Sequence, residues 1–267
     1  MKKILIAGGT GFVGKHLVSF LTENGYSIHV LTRKPSSNPS KKIQFFQWDM
    51  ESRYIDKKAF EGVEILINLT GANISEKRWT KRRKKEIIDS RIKSIELLYY
   101  YISKDKFHIN TFVSSSAVGF YGAVSTNKIF NETSESGNDF LASVCKKWET
   151  AAMKFTHLGI RTIILRKGVI LGKDGGMIQK LTPLAKKGIN VSLGSGKQYL
   201  SWVDIRDLVR LYEFVLSDPQ LSGIYNVVAT EQITMNDFSK ALLHSFGIKS
   251  FLHTTPAFII RFIFGEM

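Results

Sequence analysis

The sequence predicts an α/β fold built on a doubly wound parallel sheet, and three observations predict it. Short apolar runs alternate with helical stretches along the chain. The first apolar run, Ile4-Leu5-Ile6-Ala7, passes directly into a glycine turn, Gly8-Gly9-Thr10-Gly11-Phe12-Val13-Gly14. That turn opens a helical apolar pattern at Val13, Leu17, Phe20 and Leu21. Alternating elements with apolar strands imply a parallel sheet covered on both faces, with ligands at the carboxyl ends of its strands.

Taken in order, Lys3–Ala7 is the first strand. The start Met1-Lys2-Lys3-Ile4-Leu5-Ile6 mimics a signal peptide, but its apolar part is too short and runs into the turn. Gly8, Gly11 and Gly14 fall at G-x-x-G-x-x-G spacing. Glycine permits the tight backbone and lets the chain approach a pyrophosphate closely. The N–H groups of the first helical turn then face the negative charge. Gly8, Thr10, Gly11, Phe12, Val13 and Gly14 are therefore dinucleotide-binding candidates; a glycine loop without a ligand is the alternative.

Further strands are expected at Ile28–Thr32, Ile43–Trp48, Glu64–Leu69, Thr111–Ser115 and Thr162–Arg166. Lys34–Lys42, with two prolines and three serines, reads as a surface loop. Ile88, Ile92, Ile95, Leu98 and Ile102 recur at spacings of four and three, the clearest helix. Gly172–Gly196, rich in glycine and basic residues, reads as a loop-helix excursion that covers a substrate. Ile224–Val228 is a late strand and Thr234–Phe246 an amphipathic helix. The expected division is a cofactor-binding core at 1–171 and a smaller C-terminal substrate lobe within 172–267. Late core elements, at about 201–228, interleave with that lobe.

The 267 residues are 43% hydrophobic and 23% charged, enough for a sizeable core. No apolar run approaches the ~20 residues that span a bilayer, so no membrane partner is expected. Cys145 is the one cysteine, which excludes an internal disulfide and suits a reducing cytoplasm. The formal charge is +15, and seven of the nine residues from Lys77 to Lys85 are Lys or Arg. Glu76 and Glu86 flank that run, which reads as a solvated helix start beside an anionic site. Nucleic-acid binding ranks behind this, because no aromatic-rich RNA-reading motif or zinc-ligand cluster accompanies the charge. His16, His29, His108, His157, His244 and His253 are scattered without metal spacing, so no metal site is expected. No G-x-S-x-G elbow or Ser-His-Asp set appears.

Several landmarks then coincide: the Gly8–Gly14 turn, Asn68-Leu69-Thr70-Gly71-Ala72, Ser114-Ser115-Ser116 followed by Phe120-Tyr121-Gly122, and Ser201-Trp202-Val203-Asp204-Ile205-Arg206-Asp207-Leu208. Nearly end to end, the chain resembles the extended short-chain dehydrogenase/reductase family, which includes nucleotide-sugar epimerases. Arg78-Trp79-Thr80, Asp89-Ser90-Arg91, Phe140-Leu141-Ala142, Val144-Cys145, Trp148-Glu149 and the stretch from Leu165-Arg166 to Gly175-Gly176 narrow the resemblance. They are similar to its epimerase-like branch often called the SDR39U1 or YfcH type. The resemblance implies a Rossmann-like fold and a nicotinamide cofactor. It also implies a continuation past Gly265-Glu266-Met267, with an apolar helix at Phe258–Phe264 lacking part of its cover. By family position Asp49 bonds the adenine amine or caps a turn, Asn68 through Ala72 run beside adenosine and ribose, and Ser114 borders the cofactor.

NAD-selective sites usually carry a carboxylate at the end of the second strand, for the ribose 2′-OH. Here the strand ends Val30-Leu31-Thr32-Arg33-Lys34, with two cations where a 2′-phosphate would lie. Arg grips phosphate bidentately. The expected cofactor is NADP(H), with Arg33 the main contact and Lys34 secondary; plain surface cations are the alternative.

The resemblance also implies a catalytic Tyr with Lys four residues later, neighbours on one helix face. Anchored on Glu149, those positions hold Leu141 and Cys145. Leu transfers no proton, and Cys cannot replace a permanent cation. Lys146 lies about 100° around the helix. Two readings stay open. One is an NADP-dependent oxidoreductase or epimerase in which Ser116 bonds the substrate and Tyr121 or Cys145 supplies the proton. The other is a non-catalytic NADP(H)-binding sensor or scaffold. Cys145 is otherwise a small core residue. Arg166 either orients the loop above the nicotinamide or pairs with a carboxylate in the core. Arg78 and Trp79 are in reach of the cleft. Lys173, Lys180, Lys186, Lys187 and Lys197 suit an anionic small-molecule substrate, and solvated lysines equally.

Overall fold

In a computed structural model, residues 2–35, 42–124, 126–192 and 194–249 are described. Along the chain, β1 (Lys3–Ala7) leads through α1 (Phe12–Glu23) to β2 (Ser27–Thr32) and β3 (Ile43–Asp49), then β4 (Tyr54–Ile55) and β5 (Ile65–Asn68). The helix α2 (Lys81–Asp105) precedes β6 (Thr111–Ala117), and α3 (Phe140–Met153) precedes β7 (Arg161–Lys167). There follow β8 (Val169–Gly172), α4 (Gly176–Ala185), β9 (Tyr199–Leu200), β10 (Trp202–Asp204) and α5 (Ile205–Ser217). The last elements are β11 (Gly223–Val227), β12 (Ile233–Thr234) and α6 (Met235–His244).

The central sheet has eight strands in the order β11-β7-β6-β5-β1-β2-β3-β4. All its pairings are parallel except the edge pair of β3 with β4. The chain winds outward from β1 in one direction to β3, then in the other through β5, β6 and β7. The reversal lies between β1 and β5, where open α/β sheets form their crevice.

Alternate side chains of each strand face opposite layers. Leu5, Leu66, Phe112 and Ile164 pack with Ile95 and Leu98 of α2 and Trp148 of α3. Ile4, Ile6, Val113, Ile163 and Leu165 face the other way, onto Leu17 and Leu21 of α1 and Leu208 and Tyr212 of α5. A third cluster joins Leu171, Ala185, Met235, Phe238 and Leu242 under α4 and α6.

The expected α/β class and doubly wound parallel sheet are the observed ones, with most strand ends displaced by one or two residues. Five strand pieces have no counterpart among the expected strands: β4, β9 and β12, of two residues each, β10, of three, and β8, of four. Such short pieces carry no periodicity. Within Gly172–Gly196 the helix is α4. The basic run is not wholly solvated: Arg83 is 4% exposed and pairs with Glu76 and Glu86. Its backbone N–H donates to the Thr80 hydroxyl, the N-cap of α2. Among the described residues no helix is long and apolar enough to cross a membrane. Residues 36–41 of the loop after β2, His253 and Phe258–Phe264 lie outside the described residues.

Candidate functional site

The site is assembled at the carboxyl ends of β1, β2, β5, β6 and β7. At the end of β1, Gly8 adopts φ +84°, open to glycine but strained for other residues. A side chain there would also press on the Leu69 and Thr70 backbone. Gly14 is buried, and a Cβ on it would collide with Gly8 O and the Gly9 backbone. The backbone N–H of Gly11 donates to Gly8 O at 3.1 Å. No side chain caps α1 at Gly11, so its first N–H groups are left for another acceptor. Thr10 is exposed, while Val13 packs toward the core. The Phe12 ring lies against Gly172, Gly175 and Gly176, and His16 Nε2 is 3.1 Å from the Asp174 carboxylate.

At the end of β2, Arg33 and Lys34 are both exposed. Asp49, at the end of β3, accepts the Glu51 N–H at 2.8 Å. That hydrogen bond, with smaller help from Ser52 and the Arg33 charge, holds its carboxyl below the ordinary range. Asp49 therefore caps a turn, the second of its two expected roles.

Beyond β5, the chain is fastened by its own side chains. The fully buried Asn68 Oδ1 accepts from the Thr70 N–H at 3.1 Å and lies 2.6 Å from the Thr70 hydroxyl. Asn68 Nδ2 donates to Ser94 Oγ of α2 at 3.3 Å. Ala72 N–H donates to Ser90 Oγ, and Arg91 Nη2 donates to Ala72 O. The Arg91 guanidinium lies 5.0 Å from the Trp148 ring centroid and directly beneath Gly71, where a Cβ would meet it at 3.0 Å. Burial lowers the Arg91 pKa to about 10. Asn68 thus shapes this segment rather than presenting its amide outward, while Leu69, Thr70, Gly71 and Ala72 keep some exposure. Trp79 Nε1 donates to Ile74 O, and Lys180 of α4 donates to Ser75 O and is 2.8 Å from Ser75 Oγ. Arg78 is exposed.

The ends of β6 and β7 hold a buried polar knot. Glu149 of α3 takes Arg166 at both oxygens, at 2.9 and 2.8 Å, and accepts the Ser116 hydroxyl at 2.6 Å. Arg166 Nη1 also donates to Tyr121 Oη at 3.0 Å and to Glu132 O at 3.2 Å. Its Cζ lies 3.4 Å from the Phe120 ring centroid. Tyr121 Oη stands 2.7 Å from Asn226 Oδ1 and 2.9 Å from Asn131 O. Arg166 is 2% exposed, and its donors are committed to the core. As a cofactor contact it is a correction: it pairs with a core carboxylate. Ser114 is likewise turned inward, fully buried with its hydroxyl donating to Ser115 O. Two catalytic candidates, Ser116 and Tyr121, belong to this knot.

Cys145, the third candidate, is buried beside Gly119, where Leu141 also packs. Burial, then the Glu149 charge, pushes its thiol up to about 11, with Arg91 opposing. Lys146 and Lys147 are exposed on the outer face of α3.

One charged residue escaped the sequence reading. Lys167 ends β7 opposite Ala117 and Val227, and its Nζ donates to Ser115 Oγ at 2.6 Å. Burial, with Arg91 adding like charge, lowers its pKa to about 7. The available signal was a lysine directly after Arg166, closing a strand whose centre is the apolar run Ile163-Ile164-Leu165. Among the described residues no three His, Cys, Asp or Glu side chains group as metal ligands.

The chain matches the NAD dependent epimerase/dehydratase family model over residues 4–228. It is 34% identical to an Arabidopsis thaliana chloroplastic SDR39U1 homologue, over 98% of this chain and 76% of that protein. It is 32% identical to the Bacillus subtilis epimerase family protein YfhF, over 99% and 86%. Among solved structures, human epimerase family protein SDR39U1 with NADPH superposes with TM-score 0.84 at 25% identity, over 99% and 86%. The glycine turn, the doubly wound sheet and these likenesses agree, and the chain belongs to the NAD dependent epimerase/dehydratase family.

Proposed function

We propose that this protein is an NADP(H)-binding, epimerase-like oxidoreductase acting on a small, anionic molecule. The observation that carries the reading is the glycine cradle. Gly14 sits so tightly on Gly8 and Gly9 that a Cβ has no room, beside a helix start without a side-chain cap. That cradle fits a pyrophosphate. Arg33 and Lys34, exposed at the end of β2, suit a 2′-phosphate and would repel no part of it. The human relative was solved with NADPH, while more distant proteins of the same fold were solved with NAD.

Gly8, Gly11, Phe12, Val13 and Gly14 would hold the pyrophosphate, Arg33 and Lys34 the 2′-phosphate, and Leu69 through Ala72 the adenosine side. When bound, the nicotinamide supplies or accepts a hydride. The chain itself must hold the substrate oxygen and move a proton. Lys173, Lys180, Lys186, Lys187 and Lys197 give the C-terminal part the charge for an anionic substrate.

A second reading, a non-catalytic NADP(H) sensor or scaffold, is favoured by Leu141 at the family's Tyr position. Fluorescence titration with NADPH and NADH tests the cofactor assignment: NADPH should bind at least about tenfold tighter. NADH binding as tightly or more tightly would overturn it. NADPH oxidation with a panel of carbonyl compounds separates the readings, since a sensor turns over none.

A further inference from the structure

Three facts single out Lys167. It stands at the carboxyl end of β7, in the row of strand ends that forms the crevice. It is half-buried, with its Nζ held against Ser115 Oγ at 2.6 Å. Among the described residues no carboxylate pairs with it, in contrast to Arg166 one residue earlier, which Glu149 neutralises. The described residues thus hold a second cation beside a neutralised one, with no counter-charge of its own among them.

Its position suits the far half of a dinucleotide. In the sheet, β7 is three strands from β1, across β5 and β6. At about 4.8 Å per strand this is roughly 14 Å from the glycine cradle. A dinucleotide held at the β1 turn, with one nucleoside toward β2, would extend its other nucleoside along the crevice toward β5, β6 and β7. A nicotinamide held there would be within reach of the strand ends that carry Ser115, Ser116 and Lys167.

We propose that Lys167 is the proton-exchanging group of this site, performing from β7 the task that Leu141 and Cys145 cannot perform from α3. The inference rests on the oxidoreductase reading above. In the reducing direction a hydride arrives at the substrate carbonyl carbon. The C=O π pair moves onto oxygen and takes a proton from the Lys167 ammonium, giving an alcohol and a neutral amine. The amine regains its proton from water. The oxidising direction is the reverse, with the amine accepting the alcohol proton.

The surroundings permit both states. Ser115 faces Lys167 from β6, with Tyr212 Oη of α5 3.4 Å behind it. Arg91 of α2 is the charged neighbour and, with burial, brings the amine to about 7, where ammonium and amine are both populated at neutral pH. A general acid or base works best with such a match. Cys145, buried and raised to about 11, is a poor donor by the same criterion.

Competitive acylation of the whole protein by dilute acetic anhydride, followed across pH by peptide mass spectrometry, reads the Lys167 amine directly. The expected midpoint is near 7, with labelling slowed when NADP+ is bound. A midpoint above 10, as for ordinary lysine, overturns the proposal. So does labelling that bound NADP+ leaves unchanged, or no labelling at any pH, which would mean an amine sealed from the crevice. In the carbonyl panel, Lys167→Met should lose about a hundredfold or more of the NADPH oxidation rate while binding NADPH. Unchanged turnover by Lys167→Met overturns the proposal and leaves the oxidoreductase reading standing. If the wild-type protein binds no NADP+ or reduces no carbonyl, the oxidoreductase reading itself falls, and this inference with it.

Discussion

Glu149 and Arg166 are joined inside the protein by two parallel hydrogen bonds of 2.9 and 2.8 Å, with both side chains almost wholly excluded from water. The pair ties α3 to β7, and the Ser116 hydroxyl on the same carboxylate adds β6. Three elements of the candidate site are therefore positioned by one charge pair.

Removing one partner of such a pair strands the other charge in the interior. Glu149→Ala should destabilise the protein by about 3–5 kcal/mol, read as a lower urea midpoint. A loss below about 1 kcal/mol would show that the pair is replaceable.

The glycine cradle makes a prediction for binding. Gly14→Ala places a methyl group against Gly8 O and Gly9, so the turn must open. NADPH affinity should fall by at least about tenfold, or about 1.4 kcal/mol, with the helical circular dichroism kept. Wild-type affinity in the variant would remove the cradle from the binding site.

Cofactor choice is tested at the end of β2. Arg33→Ala should weaken NADPH binding roughly 10- to 100-fold, the loss of a charged hydrogen bond of about 1.5–3 kcal/mol. NADH affinity should not change. Equal weakening of both cofactors would place Arg33 on a part that they share.

The thiol of Cys145 should be inert at neutral pH. With its pKa pushed up to about 11, alkylation by iodoacetamide should be far slower than for an exposed cysteine and should accelerate only toward that pH. The sign for stability follows. Between the ordinary value of 9 and about 11 the unfolded chain releases this proton while the folded chain retains it. This group's contribution to stability therefore falls as pH rises through that window. Fast alkylation of the native protein at pH 7.5 would contradict the burial.

The sheet was legible because its strands are buried on both faces and read as apolar runs: Ile4–Ala7 and Ile65–Ile67 carry no polar residue. The glycine turn was legible because backbone demands select one residue type. The polar knot was not. Glu149 and Arg166 are separated by the end of a helix and a turn, and no spacing rule says that they face each other. Lys167 is hidden for a related reason: the family spacing points to a cation on α3, one turn from Leu141, whereas Lys167 stands at the end of β7. Asp49 shows the opposite case, a carboxylate at the right family position that the local turn uses.

The Phe12 ring rests on Gly172, Gly175 and Gly176, so the glycine turn and a hairpin some 160 residues later share one packing volume. Neither can drift independently over generations. A bulkier residue at Gly175 is tolerable only if position 12 shrinks, and a smaller residue at position 12 leaves a gap that the hairpin must fill. Paired exchange, first deleterious singly and then restored together, is the evolutionary signature expected of Phe12 and Gly175.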